Sequence, residues 1–538
     1  MTQAQQRPMR TSTTPAASSP APTLSLRDAS RQRLARIERF ELDWQGRRLA
    51  VCVALPAAYG KSRRRRFPLL MLSAASDYFG AAVEMSRVLA GSQEVEPCIV
   101  VDLETSTLAE SALLAELAAH CAQRYRVRAA EVCVASDVSS AAALLSLHVR
   151  GIAGVSRCIV ATPQASAELQ ARLAGPLQRG VLAWTVLEAP PTARDDIDWN
   201  VLPEASAGSL FVPALVHGLR RFWGRDHRYG DEVIALAHPL VARLLRALTP
   251  ALRPFTARSR PAALAGERHI LRAQRMGRDF EVFVTVPDSA AGDAARRYPA
   301  ILALDANGGF ATVAEIAAGL ARAGDIPEAI VIGVGTPRSE GELEFGYRRF
   351  EELSPPPAPG YRYDDALGRF FRSAFALRGE DAREQLGRAP AFHDFLANEL
   401  LPKLGASLPI AAGSLCLLGH SAGGTFVAYA AAQPRSPFRD FLCLSPGVAI
   451  SGDWMLQARN LPPRRALRGR VICAIGDEEL DNRFNRIAGI PQTLRYVDAL
   501  RDRGIDAAAC QVLGGESHTS VYARAVAMGL RAVLAPAK

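Results

Sequence analysis

An α/β architecture written twice in one chain, each half a mostly parallel sheet flanked by helices, is what the sequence predicts. Three observations carry this. β-branched apolar runs alternate with helical periodicities from end to end, the pattern of strands covered by helices on both faces. The 538 residues exceed what a single core holds. And the chain repeats itself: "VCVALPAAYGKSRRRRFPLLMLSAASDYF" from Val51 lies on "VFVTVPDSAAGDAARRYPAILALDANGGF" from Val282 without a gap.

In that register Pro56 meets Pro287, Pro68 meets Pro299, Phe79 meets Phe310, Glu84 meets Glu315 and Thr105 meets Thr336. Further on, "VCVASDVSSA" from Val132 lies on "LCLLGHSAGG" from Leu415, and "NVLPEASAGSLFVPALVHGLR" from Asn200 on "QVLGGESHTSVYARAVAMGLR" from Gln511. Each half reads strand, strand, helix, strand, helix, strand–turn–helix, then three strands and a helix. The boundaries expected are a disordered tail at 1–30, a first domain at 31–225, a helical linker at 226–262 and a second domain at 263–538. The linker carries "DEVIALAHPLVARLLRAL", and the "RRRR" at 63–66 sits in a polar loop between two strand patterns.

Composition narrows the function classes. Apolar residues make up 49% and charged residues 22%, and no run of eighteen apolar residues exists, so a soluble chain with no membrane partner is expected. The N-terminal stretch has no apolar core of a secretory signal. Most of the nine cysteines lie inside apolar strand-like runs, the usage of reduced thiols in a cytoplasmic protein. No Cys or His grouping has metal spacing, and neither metal nor cofactor is implied. The net charge of +10 comes from scattered arginines without interleaved aromatics, which argues against nucleic acid.

Chemistry concentrates in the second half. "LCLLGHSAGGTFVAYAAA" places Gly419, His420, Ser421, Ala422 and Gly423 as G-x-S-x-G between a strand and a helix of small residues, the pattern of a nucleophile on a strained turn. A serine hydroxyl needs a base, and His518 in "GGESHTS" stands after the last strand and before the last helix. His420 is expected to pack beside the sheet. An acid is expected after "VICAI", where "GDEELD" offers Asp477, Glu478, Glu479 and Asp481; Glu479 is preferred, then Asp477 and Asp481. The two N–H groups of an oxyanion hole are expected from Ala422 and from the turn "DANGG" at 305–309, through Ala306 or Asn307.

Over nearly all of 267–538 these residues resemble the enterochelin esterase-like (esterase D) branch of the α/β-hydrolases. The matching motifs are "YPAILALDAN", "IVIGVG", Arg349, Glu352, Ser354 and Pro355 as an R-x-x-[DE]-x-[ST]-P element, "FLANELLP", "GHSAGG", "LSP", Gly476 to Glu479, and the C-terminal "GGESHTSVYARAVAMGLR". The resemblance implies two α/β-hydrolase-type domains, the second a Ser–His–acid esterase of siderophore lactones or other acyl esters with Glu479 as acid. The segment 338–390 is expected to cover the site, with Arg349, Tyr361 and Phe370 as substrate-binding residues; Tyr363, Phe371, Arg369 and Arg372 belong to the same segment. The alternatives are acyl transfer or thioester cleavage by the same triad, and, in another class, a non-catalytic binding or scaffold protein.

The first half has lost this equipment. Val138 stands where Ser421 does, Ser136 and Ser140 where Gly419 and Gly423 do, and Ala207 where His518 does. The shorter spacings from Thr105 to Val138 and on to Ala207 leave no room for the covering segment or the acid loop. A degenerate, non-catalytic copy packed against the second half is therefore expected.

Overall fold

The structure, a computed structural model, describes residues 37–104, 110–164, 181–187, 197–226, 266–293, 295–462 and 467–535. The tail expected at 1–30, almost all of the linker expected at 226–262, and Thr105 lie outside the described residues.

In the first half the strands are β1 (Ile37–Trp44), β2 (Arg47–Ala54), β3 (Phe67–Ser73), β4 (Ile99–Leu103), β5 (Val127–Ala135), β6 (Arg157–Ala161), β7 (Val181–Val186) and β8 (Ile197–Val201). In the second they are β9 (Glu267–Ala273), β10 (Arg278–Thr285), β11 (Tyr298–Leu304), β12 (Ile330–Gly335), β13 (Ile410–His420), β14 (Asp440–Leu444), β15 (Val471–Gly476) and β16 (Ala508–Leu513). The first sheet runs β1-β2-β4-β3-β5-β6-β7-β8 and the second β9-β10-β12-β11-β13-β14-β15-β16, one connectivity used twice. In each, the outermost strand pairs antiparallel with the second, the second pairs antiparallel with the third, and the other six strands run parallel to one another.

The elements of the two halves recur at the separation of the sequence match. β10, β11 and the helix Phe310–Arg322 follow β2, β3 and the helix Phe79–Gly91 by the one separation that brings Glu315 onto Glu84. β1 and β9 are additions to the expected order. Both are antiparallel edge strands whose residues are mostly half-buried or exposed, so neither shows the apolar run that marks the central strands. By contrast β3 (FPLLMLS) is buried at every position.

Alternate residues of the central strands feed different cores. Leu69 and Met71 of β3 pack under the outer helices of the first half, while Leu70 and Leu72 turn inward. Inward as well are Ile301 and Ala303 of β11. The inward residues of both sheets belong to one continuous apolar cluster with four helices, Phe79–Gly91, Phe211–Trp223, Phe310–Arg322 and Val521–Leu534. The two halves therefore share a core, formed around helices that touch across the junction.

Polar contacts across that junction come in matched pairs. Glu84 accepts from the N–H groups of Ala311 and Thr312 at 3.0 and 2.8 Å, capping the helix Phe310–Arg322. Glu315 accepts from those of Gly80 and Ala81 at 2.9 and 2.6 Å, capping the helix Phe79–Gly91. Ser206 Oγ donates to Asp325 at 2.6 Å, and Ser517 Oγ, its counterpart in the repeat, donates to Glu94 at 2.6 Å. Reciprocal contacts of this kind, i to j and j to i, are those of an isologous two-fold interface. Among the described residues no helix is long and apolar enough to cross a membrane.

Candidate active site

β11 and β13 are neighbours, while the chain leaves β11 toward β12 on the other side, so the loops after β11 and β13 diverge and open a crevice. Ser421 stands at the end of β13 with φ 59° and ψ −120°, a conformation that side chains with a Cβ rarely adopt. Its neighbours must be small. A Cβ on Gly419 would come within 2.4 Å of the Gly423 backbone, and one on Gly424 within 2.6 Å of the Leu444 carbonyl. The turn is pinned by the Ser421 N–H donating to Leu444 O at 2.8 Å, and the helix Ala422–Ala431 starts at once behind it.

The expected base and the preferred acid are brought together. His518 Nδ1 lies 2.6 Å from Glu479 Oε2, and the two side chains are 2% and 0% exposed. Glu479 Oε1 accepts from Ser445 Oγ and from the Gly476 N–H, each at 2.7 Å, so every oxygen of this buried carboxylate has a donor. Burial separates the acids the sequence left open. Asp477 and Asp481 are exposed, and Asp477 serves as a cap, accepting from the N–H groups of Glu478 and Glu516. Ser445 was overlooked by sequence reasoning although it is the serine of "LSP"; its φ of 41° marks it as a constrained turn.

His420 does pack inside, with its ring 4.6 Å from that of His518 and 5.6 Å from Tyr522. Burial, with the charges of His518 and Arg349 nearby, drives its pKa well below the usual histidine range and keeps it neutral.

The turn after β11 corrects one expectation. The Ala306 N–H donates to Val334 O at 3.1 Å, so it is spent on the β12 edge and is removed as a donor to substrate. Asn307 is the residue of this turn that remains. Its side-chain amide is locked, with Nδ2 donating to Thr336 O at 2.6 Å and to Glu281 at 3.2 Å and Oδ1 accepting from the Thr336 N–H at 2.8 Å. Gly335 is required beside it, because a Cβ there would lie 2.1 Å from Asn307 Oδ1. Ala422, the other expected donor, is buried at the first position of its helix, where N–H groups have no intrahelical partner.

The segment 338–390 folds into the helices Gly341–Leu353 and Ala366–Ala376 with a short turn after them. Arg349 reaches the site: its Nη2 is 2.7 Å from Asp305 Oδ2 and its Nε 3.2 Å from Oδ1, and Asp305 also borders Gly423. Tyr361 and Phe370, expected to bind substrate, are placed otherwise. Phe370 is buried against Phe350, Phe371 and Phe484, and Tyr361 packs on Tyr363 while its hydroxyl donates to Asp365. They belong to an apolar cluster between this segment and Ile450 and Ile487. Arg372 and Arg369 are engaged by Asp364. Glu352 takes Arg348 and Arg278, not Arg349, as its cations.

In the first half the elbow is relaxed. Val138 lies in a short 3-10 turn capped by Asp137, which accepts from the Ser140 N–H at 3.1 Å, and its φ is not positive. The turn after β3 keeps its shape, for Ala74 has φ 56° where Asp305 has 52°. Ser139, the nearest hydroxyl, is held by Asp137. Between the halves, beside His518, runs a cleft of about 940 Å³ lined by Arg220, Arg221 and His217 from the first half and Glu478, Asn485 and Glu516 from the second.

No curated protein matches this chain. Residues 369–522 match the family model described as "Putative esterase", a span that includes Ser421, Glu479 and His518. Among solved structures, the BES protein of Bacillus cereus is 20% identical with a TM-score of 0.37, over 50% of this chain and 96% of that one. The siderophore hydrolase EstB of Aspergillus nidulans is 20% identical with a TM-score of 0.39, over 51% and 96%. The IroE-like serine hydrolase of Shewanella oneidensis is 18% identical with a TM-score of 0.37, over 50% and 79%. The family match thus lies wholly within the second half of the chain.

Proposed function

We propose that the second half is a serine esterase cleaving a carboxylic ester or lactone, with Ser421 as nucleophile, His518 as base and Glu479 as the acid that orients it. The observation that carries this is the buried 2.6 Å contact between Glu479 and His518 Nδ1, beside a serine on a strained strand-to-helix turn. A carboxylate on Nδ1 fixes the tautomer that leaves Nε2 able to accept a proton.

In this mechanism Ser421 Oγ attacks the carbonyl carbon as its proton passes to His518 Nε2. The oxyanion takes hydrogen bonds from the backbone N–H groups of Ala422 and Asn307. Collapse expels the alcohol, which receives the proton from His518, and leaves the acyl group on Ser421. A water molecule, deprotonated by the same imidazole, releases the acid and restores the enzyme. Arg349, paired with Asp305 and 20% exposed, stands beside the oxyanion turn as a cation that an anionic substrate would meet.

The first half is read as a degenerate copy of the same unit that replaces a second subunit. Its support is the repeated connectivity, the reciprocal junction contacts and the relaxed turn at Val138. A cytoplasmic setting fits nine free cysteines, eight of them buried.

The test of the assignment is labelling by a fluorophosphonate, with peptide mapping of the adduct. One adduct on Ser421 is expected and none in the first half; an adduct elsewhere, or no reaction, removes the assignment. A second expectation separates the acids. Glu479→Gln should lower kcat on a chromogenic ester by about 10³-fold or more, since the amide reverses donor and acceptor toward His518. Asp477→Asn and Asp481→Asn, on exposed side chains, should stay within about threefold. Steady-state rates of the three variants decide between them.

A further inference from the structure

The loops that carry Glu479 and His518 are held from outside by the half that has no catalytic group. Arg220, on the helix Phe211–Trp223, donates through Nη2 to both oxygens of Glu478 at 2.9 and 2.7 Å, and Glu478 is the residue before Glu479. Its Nη1 donates to the Gly515 carbonyl and to Ser520 Oγ, the latter at 3.2 Å. These residues bracket His518. Glu94, 6% exposed, accepts from Ser517 Oγ at 2.6 Å. The same Oγ in turn accepts from the N–H groups of Thr519 and Ser520 at 3.3 and 3.1 Å. One side chain of the first half thus fixes the residue preceding the base, and another ties the acid loop to the base turn.

The repeat shows which of these contacts is specialised. Glu94 to Ser517 has its mirror in Asp325 to Ser206, and Arg220 to the Gly515 carbonyl has its mirror in Arg531 to the Glu204 carbonyl. Those belong to the symmetric junction. Among the described residues, the double hydrogen bond from Arg220 to Glu478 has no such mirror. Around Arg220 lie three carboxylates, Glu94, Glu478 and Glu516, with Arg524 on the far side of Glu516.

We propose that Arg220 and Glu94 are positioning residues for the acid–base pair, so that ester cleavage by the second half depends on side chains supplied by the first. This rests on the Ser421–His518–Glu479 reading. A small displacement of a base relative to its nucleophile is sufficient to cost about two orders of magnitude in rate, and a fixed loop is the ordinary means of preventing it.

The experiment uses the full chain and p-nitrophenyl butyrate as probe. Arg220→Ala should lower kcat by about 10- to 100-fold with KM within about twofold and a thermal midpoint close to that of the parent, and Arg220→Lys should recover part of the loss. Glu478 is exposed, so Glu478→Gln cuts the same pair from the other side at little risk to folding; its effect should be smaller and should not add to that of Arg220→Ala. Unchanged kcat in Arg220→Ala overturns the proposal, and so does additivity of the two variants. Ser421→Ala serves as control. If it abolishes turnover while Arg220→Ala does not, the esterase reading stands and the positioning role falls; if it retains turnover, both fall.

Discussion

Replacing Ser421 with alanine is expected to reduce ester hydrolysis by a factor of about 10⁴ or more in kcat, with residual rate owed to the oxyanion donors and binding. The backbone argues that this loss is chemical and not structural. Serine and alanine both carry a Cβ, so the strain at φ 59° is the same for each, and the bonds that pin the turn, Ser421 N–H to Leu444 O and Thr425 N–H to Ser421 O, use only main-chain atoms. The thermal midpoint should therefore stay within about 2 °C of the parent or rise slightly, as buried polar groups in active sites are commonly removed without harm to stability. His518→Ala should lose about as much activity, because nucleophile and base act as one unit. Rates measured on both variants beside their melting curves check this; an active Ser421→Ala protein returns the nucleophile to an open question.

What could be read in advance followed from periodicity. The central strands announce themselves because both faces are buried, and the two halves could be laid on each other because those runs recur in the same order, block by block. β1 and β9 escaped because an edge strand with one wet face lacks that run. The acid was narrowed to a cluster and no further, since Asp477, Glu479 and Asp481 differ in burial, which the one-dimensional pattern does not encode. For the same reason Tyr361 and Phe370 read as pocket residues: an aromatic lining and an aromatic interior have one composition. Ala306 failed as a donor because its N–H is taken by a residue nearly thirty positions on. Glu84 and Glu315 were visible as two acids that share one register of the sequence match, but their purpose depends on the crossing of their helices.

That crossing leads to the largest stability effect expected in the molecule. In Glu84→Ala the N–H groups of Ala311 and Thr312 and the Thr312 hydroxyl lose their buried acceptor beside the shared core. Leaving such donors unpaired at a helix N-terminus should cost about 2–4 kcal/mol. Glu315→Ala should cost a similar amount by stranding Gly80 and Ala81. The two sites face each other across one junction, so the double variant should not be the sum of the singles, and the halves should separate before either sheet unfolds. The pH dependence has a definite sign. Burial raises the Glu84 carboxyl to about 7 and lifts Glu315 well above the ordinary range, partly through the charge of Glu84. A carboxyl raised in the folded state contributes stability that is fully present below its unfolded pKa and is lost as pH climbs through the folded one. Denaturant midpoints of the parent should accordingly fall between pH 5.5 and pH 8.5, and Glu84→Ala should flatten that fall while lowering the midpoint throughout. A parent midpoint that rises over the same interval would show that the helix N-termini hold both carboxylates ionised, with capping stronger than the penalty of burial.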